Sequence, residues 1–172
     1  CAAWQAVAHG ADTVVFFRWR TASHGTEQYW HGVINHDGVP RRRYREVVEY
    51  GQEMRRLSDT LDGTVLRSDV AILNSYEQHY AFDIQPQADG LRIWDQVQRF
   101  YRVLHAAALN VDVVPINVDL SRYKLVIAPS WYILTPEDAA RFRDYVRQGG
   151  TLILNPRTGV KNAVNACHEE PL

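Results

Sequence analysis

"YKLVIAPSWYILTPEDAARFRDYVRQGGTLILNP", residues 123–156, holds a strand, a helix and a second strand in one continuous read. "YKLVIAPS" is a run of the kind buried in a parallel sheet covered on both faces. In "LTPEDAARFRDYVRQGG", Thr135 takes the N-cap place, Pro136 the first helical position and Asp138 the capping-box place. Gly149 then supplies the stop. "TLILNP" follows as another strand.

Working outward, "DVAILN" (69–74) and "VDVVPI" (111–116) are further apolar strands. Between them "LRIWDQVQRFYRVLHAAAL" (91–109) sets Ile93, Trp94, Val97, Tyr101, Leu104 and Ala108 at helical spacing. Strands alternating with helices imply right-handed crossovers and a doubly wound parallel sheet. Upstream, "TVVFFRW" (13–19) is β-branched and aromatic and reads as one more covered parallel strand. Ahead of it Ala3, Trp4, Val7 and Ala8 share a helical face that Gly10 stops. A helix from about Arg42 to Leu57 follows the turn "NHDGVP". The polar stretch "SDTLDGTVLRSD" (58–69) is the best candidate boundary, and it divides the chain into 1–60 and 61–172. The chain opens inside a helical pattern without an initiator Met and closes in loop chemistry after a buried-type strand, as expected of an internal portion of a longer protein.

Composition narrows the partners. At 172 residues there is room for one ordinary domain, or a small domain plus a piece of another. With 19 basic and 20 acidic residues, the net charge of -1 offers no field to steer nucleic acid or an anionic membrane. The basic run Arg41–Arg43 reads as a solvated helix start. Cys1 and Cys167, one near each end, make neither a disulfide framework nor a zinc site. No run approaches a membrane span or a signal peptide. The expectation is a soluble, cytoplasmic protein with no metal, cofactor, nucleic-acid or membrane partner.

Chemistry in such folds sits at the carboxyl ends of strands. In the second block "APSWYILTPE" lacks a nucleophile in a Gly-flanked elbow, and "LNSYEQHYAF" has no phosphate loop. Glu77 and His79 read as solvated loop residues there, and the block as scaffold. Several large aromatics, Phe82, Trp94, Trp131 and Tyr132, are expected in the core or at a protein interface, with Trp131 the foremost interface candidate. The first block is richer. "FFRWRTASHGTEQYWHG" (16–32) gathers Phe17, Glu27, Trp30 and His31 behind one strand. A sugar ring asks for an aromatic platform and charged acceptors, because each buried hydroxyl left unpaired costs ~1–3 kcal/mol. The other reading pairs Glu27 with Arg18 or Arg20 and makes it a loop clasp.

"QAVAHGADTVVFFRWRTASHGTEQYWHGVINHDG" (5–38), followed by "RRRYREV", resembles the end of the catalytic (β/α)8 barrel of glycoside hydrolase family 42 β-galactosidases. "YKLVIAPSWYIL", "YVRQGGTLILNPRTGVKN" and the terminal "EEPL" resemble that family's following domain, a flavodoxin-like module related to class I glutamine amidotransferases and used for trimerisation. The resemblance covers nearly the whole chain. Its specific parts are "FFRWR" with a Glu seven residues after the last Arg, and "GGTLILNPRTGVKN".

The resemblance implies hydrolysis of terminal β-D-galactosides with retention, by two glutamates roughly 5 Å apart. Both would precede Cys1, leaving no catalytic residue in this chain. Phe17 matches an aromatic lining of the galactose pocket and Glu27 a ligand of a galactose hydroxyl. The family often has His three residues after that Glu; here Trp30 stands in that place and His31 follows. Either His31 substitutes through a small loop shift or Trp30 makes a different contact. The α/β domain would hold a homotrimer together. No working amidotransferase is expected, since Ser130 and Trp131 follow "KLVIAP" and the only later cysteine is Cys167. The alternatives are a non-catalytic assembly or binding module, and a related glycosidase such as an α-L-arabinopyranosidase.

Overall fold

The alternating pattern of the second half is realised as a parallel sheet. The structure, a computed structural model, describes residues 2–86 and 88–170, so the readings that fall on Cys1 and on the last two residues of "EEPL" lie outside the described residues. Two compact units make up the chain, Cys1–Leu66 and Arg67–Leu172.

In the second unit each apolar run forms one strand: β1 (Val70–Leu73), β2 (Val111–Val114), β3 (Leu125–Ala128) and β4 (Thr151–Leu154). They pair in the order β2-β1-β3-β4, all parallel. This is the doubly wound sheet the pattern implies. Central β1 is buried along its whole length, whereas edge strand β4 is mostly exposed. Burial on both faces is why β1 and β3 show no polar alternation.

Helices cover both faces. α5 (Pro136–Arg147) packs Ala139, Phe142 and Tyr145 with Ala71, Leu73 and Trp131 on one side. α3 (Tyr76–Ile84) and α4 (Ile93–Ala106) pack Phe82, Ile93 and Val97 with Ile72, Ile127 and Tyr132 on the other. Consecutive residues of one extended segment point to opposite faces. Trp131 therefore meets Phe142 edge-on at 6.3 Å, while Tyr132 meets Phe82 edge-on at 5.0 Å.

Three sequence readings change here. Trp131, Tyr132 and Phe82 are each 2 % exposed, so they are core and not interface; Trp94 alone of the four stays open. "YEQHYAFDI" is helix α3 and not loop, which puts Glu77 and His79 on a helix. Its buried polar Gln78 explains the disguise. Gln78 Nε2 donates to Ile133 O at 2.9 Å and its Oε1 accepts from Ile133 N at 2.8 Å, so this amide pairs both main-chain groups of one residue. Between β2 and β3 there is no α-helix, only a 3-10 turn at Leu120–Arg122.

The α5 cap is half as drawn. Thr135 Oγ1 accepts from Asp138 N at 3.1 Å with Pro136 at the start, but the Asp138 carboxylate accepts from the Trp131 indole at 3.4 Å. At the other end Gly149 has φ 94°, a left-handed backbone that glycine adopts freely. Gly150 answers to packing: a Cβ there would lie 2.2 Å from Tyr145 Cζ. The Tyr145 hydroxyl lies 3.1 Å from Tyr123 O and 3.2 Å from Thr151 O, and burial pushes its phenol above the usual range. Tyr145→Phe should lower stability by about 1 kcal/mol with no loss of secondary structure, as read by urea denaturation followed by circular dichroism.

The first unit is built from α1 (Ala2–Ala8), an irregular segment and the 20-residue α2 (Arg42–Leu61). Gly10, at φ 91°, ends the α1 turn, and Ala11 N donates to Ala6 O at 3.0 Å. Trp4 Nε1 donates to Glu53 Oε2 at 2.8 Å, and its ring meets Tyr50 edge-on. α2 runs to Leu61, into the stretch expected to hold the boundary. Residues 13–19 pair with no other strand among the described residues. A strand needs a ladder partner, and among the described residues the only bridge here is Arg20 with Ile34. Phe17 and Trp19 are consequently 68 and 63 % exposed.

Candidate functional site

The loop after residue 19 is closed by a crossing of two chain segments. Val33 N donates to Arg18 O and Ile34 N to Trp19 O, each at 2.7 Å, and Thr21 N returns a bond to Ile34 O at 3.0 Å. Buried Thr21 secures the crossing from within, its Oγ1 accepting from Gly32 N at 2.8 Å. Only glycine fits at 32, because a Cβ there would lie 2.4 Å from Thr21 N and 2.6 Å from Arg20 C. The excursion between these anchors carries a 3-10 turn at Thr26–Tyr29, entered through Gly25 at φ 85°. His36 Nε2 donates to Gln28 O at 2.7 Å, and Arg20 Nη2 to His36 O at 2.9 Å, so the tip is tied back to the stem.

Within this frame Glu27 Oε2 accepts from Arg18 Nη1 at 2.6 Å. The structure thus chooses Arg18 over Arg20, whose guanidinium is engaged by the His36 carbonyl. Glu27 Oε1 has no partner among the described residues and remains a free acceptor. The Arg18 guanidinium also lies 5.8 Å from the centroid of the Phe17 ring. Phe17, Arg18 and Glu27 form one contiguous row of aromatic face, cation and carboxylate.

The four candidates are not gathered in one cavity. Glu27 lines an open hollow of about 530 Å3 with Arg18, Arg20, Thr21, Ser23 and His24. Phe17 and His31 line a second of about 660 Å3 with Trp4, Phe16 and Tyr50. Trp30 lines neither and is 61 % exposed. His31 Nδ1 lies 3.2 Å from Tyr29 O, which leaves its Nε2 for an outside partner. The arrangement can receive hydroxyl donors at Glu27 and at His31 Nε2, offer donors from Arg18, and present Phe17 as a platform. Sequence reasoning missed Gly32, Thr21 and His36, which shape the loop without carrying charge into it. The lone glycine between His31 and Val33 was the available signal.

At the carboxyl end of β3, Ser130 has φ 41° and is buried, and its hydroxyl lies 2.9 Å from Gln96 Oε1 and 3.1 Å from Pro156 O. Neither partner is a base, so the position holds no activated nucleophile. Among the described residues no group of His, Cys, Asp and Glu could hold a metal, and no helix is long and apolar enough to cross a membrane.

Residues 68–172 match the family model described as beta-galactosidase trimerisation domain, and residues 1–57 match the beta-galactosidase model of glycoside hydrolase family 42. Beta-galactosidase BgaA of Clostridium cellulovorans is 39 % identical over 98 % of this chain and 26 % of its own length. BgaH of Haloferax lucentense is 40 % identical over 97 % of this chain and 24 % of its own. The beta-galactosidase of the Antarctic haloarchaeon Halorubrum lacusprofundi superposes with a TM-score of 0.89 at 38 % identity, covering 98 % of this chain and 25 % of that structure. That of psychrophilic Marinomonas ef1 gives 0.90 at 32 % identity, with 98 and 26 % covered. The chain spans about a quarter of the length of the relatives it matches.

Proposed function

The chain belongs to glycoside hydrolase family 42, and on that premise we propose that the protein containing it is a retaining β-galactosidase that releases terminal non-reducing β-D-galactose. Residues 1–60 are the end of its catalytic barrel and supply one wall of the galactose pocket, and residues 61–172 are its assembly domain. Glu27 accepts from a galactose hydroxyl, Phe17 lies under the ring, and Trp30 and His31 flank it. Acid/base and nucleophile are two glutamates outside this chain. The protein acts as a homotrimer in the cytoplasm, without a cofactor.

The observation that carries this reading is the likeness of nearly the whole chain to one quarter of proteins named beta-galactosidase, across both units. The free Glu27 Oε1 beside Arg18 and Phe17 supports the pocket role.

A panel of nitrophenyl glycosides tests the reading. The full-length protein should turn over the β-D-galactoside with the highest kcat/KM, and the 172-residue chain alone should turn over none, because neither catalytic glutamate is in it. A higher kcat/KM on the α-L-arabinopyranoside would replace the substrate. Turnover by the chain alone, abolished by Glu27→Gln, would overturn the division of labour.

A further inference from the structure

We propose that Arg18 is the positioning residue of the candidate sugar site: it holds one carboxylate oxygen of Glu27 so that the other is presented, already oriented, to a galactose hydroxyl. The inference rests on the pocket reading above and adds what makes Glu27 competent as a ligand.

Glu27 is well fixed at its main chain and barely fixed beyond it. Its carbonyl accepts from Trp30 N at 3.0 Å, and the neighbouring Gln28 carbonyl accepts from His36 Nε2 at 2.7 Å. These bonds place the backbone of the turn. They leave the side-chain torsions free to swing the carboxylate. Among the described residues one side-chain bond restrains them, donated by Arg18 Nη1 to Oε2 at 2.6 Å. A carboxylate accepts on both oxygens, so a donor held on Oε2 orients the group and leaves Oε1 for a second partner.

Arg18 suits that task because its own place is secured. Its main-chain carbonyl accepts from Val33 N at 2.7 Å in the crossing, and its guanidinium lies 5.8 Å from the centroid of the Phe17 ring. Arg18 and Arg20 line the same hollow as Glu27, while Trp19 between them meets Tyr44 of α2 edge-on. Arg20 is engaged at the stem, where Nη2 donates to His36 O at 2.9 Å. Arg18 thereby joins the two parts of the sugar contact, the Phe17 platform and the Glu27 acceptor. A substrate meeting a loose Glu27 must order those torsions as it binds; one meeting a Glu27 already held is spared that loss.

The test is kcat/KM on a nitrophenyl β-D-galactoside, with Tm, for variants of the full-length protein. Arg18→Gln should lower kcat/KM roughly ten- to thirtyfold, the worth of ordering one glutamate side chain in advance. Tm should stay near wild type, as for the loss of any pair open to water. In a Glu27→Gln background the same substitution should add no more than about twofold, because an aid that acts through Glu27 has nothing left to act through. Arg18→Glu with Glu27→Arg remakes the ion pair in reverse but removes the acceptor, so it should regain Tm and stay no higher in kcat/KM than Glu27→Gln. If Glu27→Gln lowers kcat/KM while Arg18→Gln leaves it unchanged, or lowers it equally in both backgrounds, the inference falls and the pocket reading stands. If Glu27→Gln leaves kcat/KM unchanged, or the reversed pair regains the wild-type value, both fall and the pair is a loop clasp.

Discussion

Trp131→Ala should lower the unfolding free energy of the Arg67–Leu172 unit by about 3–5 kcal/mol, the range for truncating a large buried aromatic. The residue is 2 % exposed, belongs to the core cluster with Leu134, Phe142 and Tyr145, and meets the Phe142 ring edge-on. Its indole also donates to Asp138 beside the α5 cap, so truncation loosens the start of that helix. Against a domain stability of ~5–15 kcal/mol, the loss is about a fifth of the total or more. Urea unfolding gives the number. Trp94→Ala, on the open side of α4, should stay within about 1 kcal/mol of wild type. A Trp131→Ala protein with an unchanged urea midpoint and weakened association would restore the interface reading of this residue.

Gly32→Ala is the second large effect. The added methyl would meet Thr21 N and Arg20 C at 2.4 and 2.6 Å, and both are main-chain atoms in a bonded crossing that cannot swing aside. Separating the two segments breaks the bonds of Val33 to Arg18 and of Gly32 to Thr21, which place the whole excursion. The cost should be about 3 kcal/mol or more, at the upper end of overpacking. In the full-length protein kcat/KM should fall further than with any single substitution at the loop tip, since Phe17, Arg18 and Glu27 all hang from the crossing. Thr21→Ala removes one hydroxyl partner and should do less, about 1 kcal/mol. Normal kinetics in Gly32→Ala would mean that the loop geometry does not serve the pocket.

Much of the second unit could be read before its structure. Its strands are short apolar runs, the central β1 and β3 buried on both faces, and Thr135, Pro136 and Gly149 punctuate α5 in the places where they act. What stayed hidden has physical reasons. α3 was missed because Gln78 occupies its buried face, and a polar residue there breaks the apolar stripe on which periodicity depends. Adjacent Trp131 and Tyr132 read as one sticky patch, yet an extended segment sends them into separate cores. Residues 13–19 have strand-forming side chains, but a strand is defined by its neighbours, and only the crossing at 33–34 meets this segment. At the candidate site the sequence left Arg18 and Arg20 equally able to hold Glu27. The choice follows from the carbonyl of His36, sixteen residues beyond Arg20, which no local pattern announces.

Glu27 is where the two readings of the loop part, and Glu27→Gln in the full-length protein separates them. As a clasp, Glu27 makes one ion pair whose side chains are 31 and 50 % exposed, and such a pair contributes at most about 1 kcal/mol to stability. As a ligand, it accepts a charge-assisted bond from a sugar hydroxyl, whose loss should lower kcat/KM on a nitrophenyl β-D-galactoside by roughly ten- to a hundredfold. The measurement is kcat/KM together with the melting temperature of the same preparation. A fall in kcat/KM of that size with Tm within a few degrees of wild type is the expected result. An unchanged kcat/KM with a markedly lower Tm would contradict it and leave Glu27 as a loop clasp alone.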